Sequence, residues 1–151
     1  MKKIMFVCTG NICRSPMAQY YMQKKIKDLK KENDFLISSC GTFAISGQAA
    51  TSNAIIAMKQ YNIDISKHRA TNIHEIDIEN YDLILCLTQE HKKNVAEIFP
   101  KVTDKLFTLK EYAFKNEKYI DIDDPWGLSL EVYKRSANEI VDGIDKIVEK
   151  M

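Results

Sequence analysis

The chain opens on a short apolar run, Ile4-Met5-Phe6-Val7-Cys8, with Lys2-Lys3 before it and Thr9-Gly10 after it. A run this short, without alternation of apolar and polar positions, predicts a strand over Lys2 to Cys8 buried on both faces. The period then changes. Ala18, Met22, Ile26 and Leu29 recur every three or four residues, the spacing of a helix with one apolar face, and Lys27 to Asn33 closes it with charge. Ser15-Pro16 stands where a helix start belongs, a serine N-cap followed by proline at the first helical position, where its missing N–H costs nothing.

The same alternation continues. Phe35 to Ser39 predicts a second strand, ended by Cys40-Gly41-Thr42, and Ala54, Ile55, Met58 and Tyr61 mark a helix over Ser52 to Tyr61. Tyr81 to Leu87 predicts a third strand, Gln89 to Phe99 a helix stopped by Pro100, and Lys105 to Leu109 a fourth strand. A long helix from Ser129 to Met151 ends the chain, with Tyr133, Ala137, Ile140, Ile144, Ile147 and Val148 on its buried face. No repeat, low-complexity tract or linker interrupts the 151 residues, so one domain over 1–151 is expected. Alternating β and α units predict a parallel sheet with helices on both faces and a ligand site at the carboxyl ends of the strands, where Cys8 stands.

Composition narrows the partners. With 22 basic and 21 acidic residues the formal net charge is +1, too little field to draw nucleic acid or an acidic membrane. No apolar stretch is long enough for a membrane helix or a signal peptide, so a cytoplasmic location is expected. Cys8, Cys13, Cys40 and Cys86 are irregularly spaced in a chain able to build its own core, which predicts thiols rather than a disulfide framework. No phosphate-binding Walker pattern or dinucleotide fingerprint occurs, and His68, His74 and His91 are scattered, so neither metal nor cofactor is expected.

The candidate chemistry sits between the first strand and the first helix, in Val7-Cys8-Thr9-Gly10-Asn11-Ile12-Cys13-Arg14-Ser15. A loop wrapped at a helix N-terminus turns its N–H groups inward and adds the positive end of the helix dipole, which together hold an anion. Gly10 lets the backbone bend, Asn11 tolerates positive φ, and Arg14 presents a planar fork that matches two phosphoryl oxygens. Helix N-termini and neighbouring arginines favour thiolates, so the same cradle would make Cys8 a nucleophile.

The string closely resembles the active-site loop of the low molecular weight protein tyrosine phosphatases, V-C-x-G-N-x-C-R-S-P, and every fixed position matches. The resemblance runs over essentially the whole chain. It implies a flavodoxin-like three-layer α/β sandwich whose four-stranded parallel sheet has the order 2-1-3-4. It also implies hydrolysis of phosphotyrosine in protein substrates through a cysteinyl-phosphate, without metal or cofactor, by a monomer or weak dimer. By position Cys8 is then the nucleophile and Arg14 the phosphoryl ligand, while Thr9, Gly10, Asn11, Ile12, Cys13 and Ser15 complete the loop. The Ser15 hydroxyl serves both as helix cap and as donor to the Cys8 sulfur.

A phenolate leaves better when protonated, so a general acid is needed, and Asp121-Ile122-Asp123-Asp124-Pro125-Trp126-Gly127 is an acidic loop held out of regular structure by proline and glycine. The family's Asp-Pro pair maps onto Asp124-Pro125, which makes Asp124 the proton donor and Asp123 its understudy. Trp126 falls at an aromatic wall of the pocket, with Phe43 expected opposite. Trp126-Gly127 replaces the tyrosine pair of the animal enzymes, which excludes regulation by phosphorylation there. Ser39 and His68 resemble the serine and histidine that support the loop asparagine.

Three rival functions use the same fold. A thiol-dependent arsenate reductase needs two further cysteines, and although Cys86 ends the third strand, position 93 is Lys93. A protein arginine phosphatase resembles this chain but carries threonine where Ile12 stands; an apolar floor favours a phenyl ring over a guanidinium. A silent phosphoprotein-binding module would lack Cys8, Arg14 or the acid, and all are present. Cys13, in the same tight loop, is expected to trap an oxidised Cys8 as a disulfide.

Overall fold

The computed structural model describes residues 1–115 and 120–151. Four strands form one parallel sheet: β1 (Lys2–Cys8), β2 (Phe35–Gly41), β3 (Leu83–Cys86) and β4 (Leu106–Thr108), in the order β2-β1-β3-β4. β1 is central, pairing in parallel with β2 from Lys2↔Phe35 to Cys8↔Gly41 and with β3 from Ile4↔Leu83 to Val7↔Cys86. Strands enclosed this way need apolar side chains on both faces, which is why Ile4 to Val7 shows no alternation.

Helices α1 (Arg14–Asp28), α2 (Ser52–Lys59), α3 (Gln89–Ile98), α4 (Leu109–Ala113) and α5 (Leu130–Val148) follow the strands or connect them. Ile4, Phe6 and Leu85 from one face of the sheet pack with Met17, Met22, Ala54, Met58, Ile140 and Ile144 of α1, α2 and α5. Met5, Val7 and Ile84 from the other face pack with Val95 of α3 and with Ile73, Ile78 and Val102 from 3-10 turns. The sheet between two apolar layers is the expected three-layer architecture.

The differences from the sequence reading have local causes. β3 is shorter than Tyr81 to Leu87, because only Leu83 to Cys86 pairs with β1, and only Ile84 to Cys86 pairs with β4 as well. β4 stops at Thr108, whose hydroxyl accepts from the Glu111 N–H while the Glu111 carboxylate accepts from the Thr108 N–H. That reciprocal cap starts α4, a short helix the apolar spacing does not reveal. α5 starts at the expected serine, since Ser129 Oγ accepts from the Val132 N–H.

The glycine that the loop region requires is Gly41, at the end of β2. A Cβ there would stand 2.4 Å from the Thr9 carbonyl oxygen, 2.9 Å from Ala44 Cβ and 3.0 Å from the Asn11 nitrogen. These are mostly backbone atoms that cannot swing aside, so Gly41 is what lets β2 lie against the loop after β1. Gly41→Ala is expected to destabilise the fold by about 1–3 kcal/mol, read as a lower urea midpoint at unchanged m-value.

Candidate active site

Cys8 ends the central strand at the carboxyl edge of the sheet, and the chain climbs through Thr9 and Gly10 to Asn11, whose φ is +57°. An L-residue pays for that conformation, and here its side chain supplies the compensation. Asn11 is fully buried; its Nδ2 donates to Ser15 Oγ at 2.8 Å and to Ser39 Oγ at 2.9 Å, and its Oδ1 accepts from the Thr71 N–H at 2.9 Å. The Asn11 carbonyl lies 2.8 Å from His68 Nε2. A carbonyl only accepts, so the His68 proton sits on Nε2, and burial holds His68 below the usual imidazole range. Ser39 passes its own proton on to Gln19 Oε1 at 2.5 Å.

Around Cys8 two donors converge on sulfur. The Asn11 N–H points to Sγ at 3.3 Å, and Ser15 Oγ lies 2.8 Å away. Ser15 Oγ also accepts from Asn11 Nδ2, and its own hydrogen can go to this sulfur or to the Cys40 carbonyl at 3.5 Å. This corrects one expectation. The N-cap position of α1 is Cys13, with no side-chain cap, and Pro16 is the third helical residue rather than the first. The Ser15 hydroxyl is spent on Cys8 instead.

Gly10 departs from expectation too. Its φ is not positive, and a Cβ there would meet only Ile12, at 3.4 and 3.8 Å. The bend belongs to Asn11 alone.

Arg14 is buried, and one arm of its fork is anchored: Nη1 donates to the Ile122 carbonyl at 2.8 Å. Nη2 lies 3.6 Å from Asp124 Oδ2, while Nε has no partner within the protein although it is shielded from solvent. Nε–H and Nη2–H therefore remain as a pair of donors with the spacing of two phosphoryl oxygens. Asp124 is half exposed, and its Oδ1 accepts from the Trp126 N–H at 3.1 Å. Its loop is fastened to the strand beside β1, with the Ile122 N–H donating to the Leu87 carbonyl at 2.9 Å and Asp121 Oδ1 accepting from the Gln89 N–H at 2.8 Å. Ser136 of α5 donates to the Asp123 carbonyl at 3.1 Å.

These groups border a cleft of about 310 Å³. Cys8, Thr9, Gly10, Ile12, Cys13 and Arg14 come to it from the loop, and Asp124 and Trp126 from the acidic loop. Phe43 does not line it. That ring is 73% exposed, and the contribution of residue 43 is its N–H, which donates to the Thr9 carbonyl at 3.0 Å. The residue on the cleft from this side is Gln48, which no pattern in the sequence singles out.

Two further neighbours escape a linear reading. Cys13 Sγ lies 3.3 Å from Tyr133 Oη, and Tyr133 in turn contacts Thr51 Oγ1 at 3.1 Å, so α5 and the start of α2 brace the second cysteine. Burial pushes the Cys13 thiol up, and burial together with the Cys13 contact pushes Tyr133 up to about 12. His91 is also buried, with Nε2 2.7 Å from Thr9 Oγ1 and Nδ1 unpartnered among the described residues. Its position in the first turn behind β3, at the carboxyl edge of the sheet, is the signal that could have found it.

Desolvation, with Arg14 nearby, holds His91 down at about 4. Between that value and about 6.5 the unfolded chain binds the proton and the folded chain does not, so stability falls as pH drops through this window. His91 alone should account for about 3 kcal/mol of loss between pH 7 and pH 4. Urea unfolding at both pH values should show a flatter dependence for His91→Gln than for the unaltered protein.

Known proteins similar to this chain belong to one family. The family described as low molecular weight phosphotyrosine protein phosphatase matches residues 3–151. A protein-arginine-phosphatase of Geobacillus stearothermophilus is 35% identical over 99% of this chain and 95% of its own length. A low molecular weight protein-tyrosine-phosphatase of Staphylococcus epidermidis is 36% identical over 96% of each. The crystal structure of a low molecular weight protein tyrosine phosphatase from T. tengcongensis superposes with a TM-score of 0.91 at 42% identity, covering the whole of both chains. A sheet of this order, a family match along nearly the whole chain and relatives of this kind have one reading: the chain belongs to the low molecular weight protein tyrosine phosphatase family of hydrolases.

Proposed function

We propose that the protein hydrolyses phosphotyrosine in protein substrates, and aryl phosphates generally, with Cys8 as nucleophile, Arg14 as phosphoryl ligand and Asp124 as general acid and base. The observation that carries this reading is the pair of donors on Cys8 Sγ, at 2.8 and 3.3 Å, in a cleft that also holds Arg14 and Asp124. The Cys8 thiolate attacks phosphorus, the bond from phosphorus to the phenolic oxygen breaks, and Asp124 gives that oxygen its proton. Arg14 binds two of the remaining oxygens through Nε–H and Nη2–H, and the loop N–H groups meet the developing charge.

In the second step Asp124, now a carboxylate, takes a proton from water. The oxygen attacks phosphorus, the sulfur–phosphorus bond breaks, and inorganic phosphate leaves. Cys8 departs as a thiolate, the form that the Asn11 N–H and Ser15 hydroxyl stabilise. Cys86 is buried in the sheet, and burial pushes its thiol up, which favours hydrolysis over a cysteine relay.

Ile12 carries the substrate ranking. It lines the cleft, where its methyl groups suit the face of a phenyl ring better than a guanidinium. The second reading, phosphoarginine, has its support in the arginine phosphatase relatives of Geobacillus stearothermophilus and Bacillus subtilis, each 35% identical to this chain. Four free cysteines agree with work in the reducing cytoplasm.

Cys8→Ser should abolish turnover of an aryl phosphate, and Asp124→Ala should lower kcat by about 10² to 10⁴; full activity of Cys8→Ser would overturn the mechanism. Rates on phosphotyrosine and phosphoarginine peptides, measured side by side, should favour phosphotyrosine, with Ile12→Thr moving the ratio toward phosphoarginine. Phosphoarginine preference in the unaltered protein reverses the ranking. Peroxide should inactivate the enzyme, with recovery on thiol addition depending on a Cys8 to Cys13 disulfide. Equal recovery of Cys13→Ala would exclude that disulfide.

A further inference from the structure

A second cavity lies at the opposite end of the sheet. It is a groove of about 790 Å³ at the amino ends of the strands, more than twice the 310 Å³ of the cleft beside Cys8, and none of the catalytic groups reaches it. Leu83, Phe107 and Ile147 give it an apolar floor between the sheet, α4 and the end of α5. Volumes in this range, with an apolar lining and a few polar groups, are those of small-molecule sites.

Its charge is unusual for this protein. Among the described residues the lining side chains include five lysines and one glutamate, a formal surplus of four positive charges, in a chain whose net charge is only +1. The glutamate, Glu111, is already held by Lys92 at 2.6 Å. Lys146 has only the exposed Glu149, at 3.6 Å, and Lys2 and Lys150 have no ion pair among the described residues. Lysine stems can roof an apolar groove by themselves, with their ammonium groups in water. What the stems leave is mutual repulsion around one mouth above apolar surface that stays wet. A ligand with an apolar chain and one negative end removes both costs together.

We propose that this groove is a binding site for a single-chain amphipathic anion, a medium-chain carboxylate, with the chain on Leu83, Phe107 and Ile147 and the carboxylate among Lys2, Lys146 and Lys150. The site is separate from the phosphatase chemistry and stands or falls independently of it.

Decanoate, decanol and decyltrimethylammonium, each titrated into isotope-labelled full-length protein and followed by amide chemical shifts, test the proposal. Decanoate should give saturable shifts around Leu83, Phe107 and Ile147 with Kd below about 1 mM. Decanol and the Lys2→Glu/Lys150→Glu double variant should each weaken binding about tenfold or more, the cation should not bind, and added salt should loosen the complex. Both lysines are solvent-exposed, so the variant keeps its fold, and Lys146→Glu provides an independent repeat. The proposal is overturned if decanoate gives no saturable shifts, if its shifts are confined to residues 8–15, if decanol binds equally well, or if charge reversal changes nothing.

Discussion

The site depends on one asparagine held in a conformation it would not choose. Asn11 occupies the left-handed region at φ +57°, and its amide and carbonyls are tied to Ser15, Ser39, Thr71 and His68. These partners come from α1, from β2 and from the segment before β3, so the strain of one residue is held by contacts spread over some sixty positions of chain. The conformation turns the Asn11 backbone N–H onto the Cys8 sulfur, while the side-chain Nδ2 donates to Ser15 Oγ, which lies against that same sulfur. Loop shape and the polar contacts of the Cys8 sulfur thus belong to a single hydrogen-bond network.

The second constraint is the burial of Arg14. A guanidinium with little water around it needs fixed acceptors, and the Ile122 carbonyl provides one. Ile122 is itself bound to Leu87 at the end of β3, and its neighbour Asp121 caps the start of α3. Arg14 and the acidic loop are therefore referred to the same strand ends, which sets Asp124 against Arg14 without any regular structure in the loop that carries it.

Much of this was legible in the chain. A strand buried on both faces, a change to helical spacing and a loop between them place Cys8 at the carboxyl edge of a parallel sheet, because period and connection handedness leave few alternatives. What linear reading could not supply is which partner wins when a residue can satisfy two. Ser15 has the chemistry of a cap, but the sulfur and Asn11 claim it. Gly10 looked like the bend, yet the tight approach is across strands, at Gly41. Phe43 is aromatic and near the loop, while the cleft takes Gln48 from its neighbourhood. His91 and Tyr133 are distant in sequence from the residues they touch, Thr9 and Cys13, and only the crossing of α3 and α5 over the sheet brings them in.

The central position of β1 has a consequence for the order in which the protein is made. β1 is flanked in the finished sheet by two strands that both follow it in the chain, so its backbone is paired only once residues 35–41 and 83–86 have been made. Parallel pairings over such distances form slowly. The acceptor of Arg14 arrives later still, at Ile122, and the Tyr133 that braces Cys13 after that. Arg14 and Cys13 thus find their partners 108 and 120 residues further along the chain, and the loop that holds Cys8 is braced only once those later segments have docked.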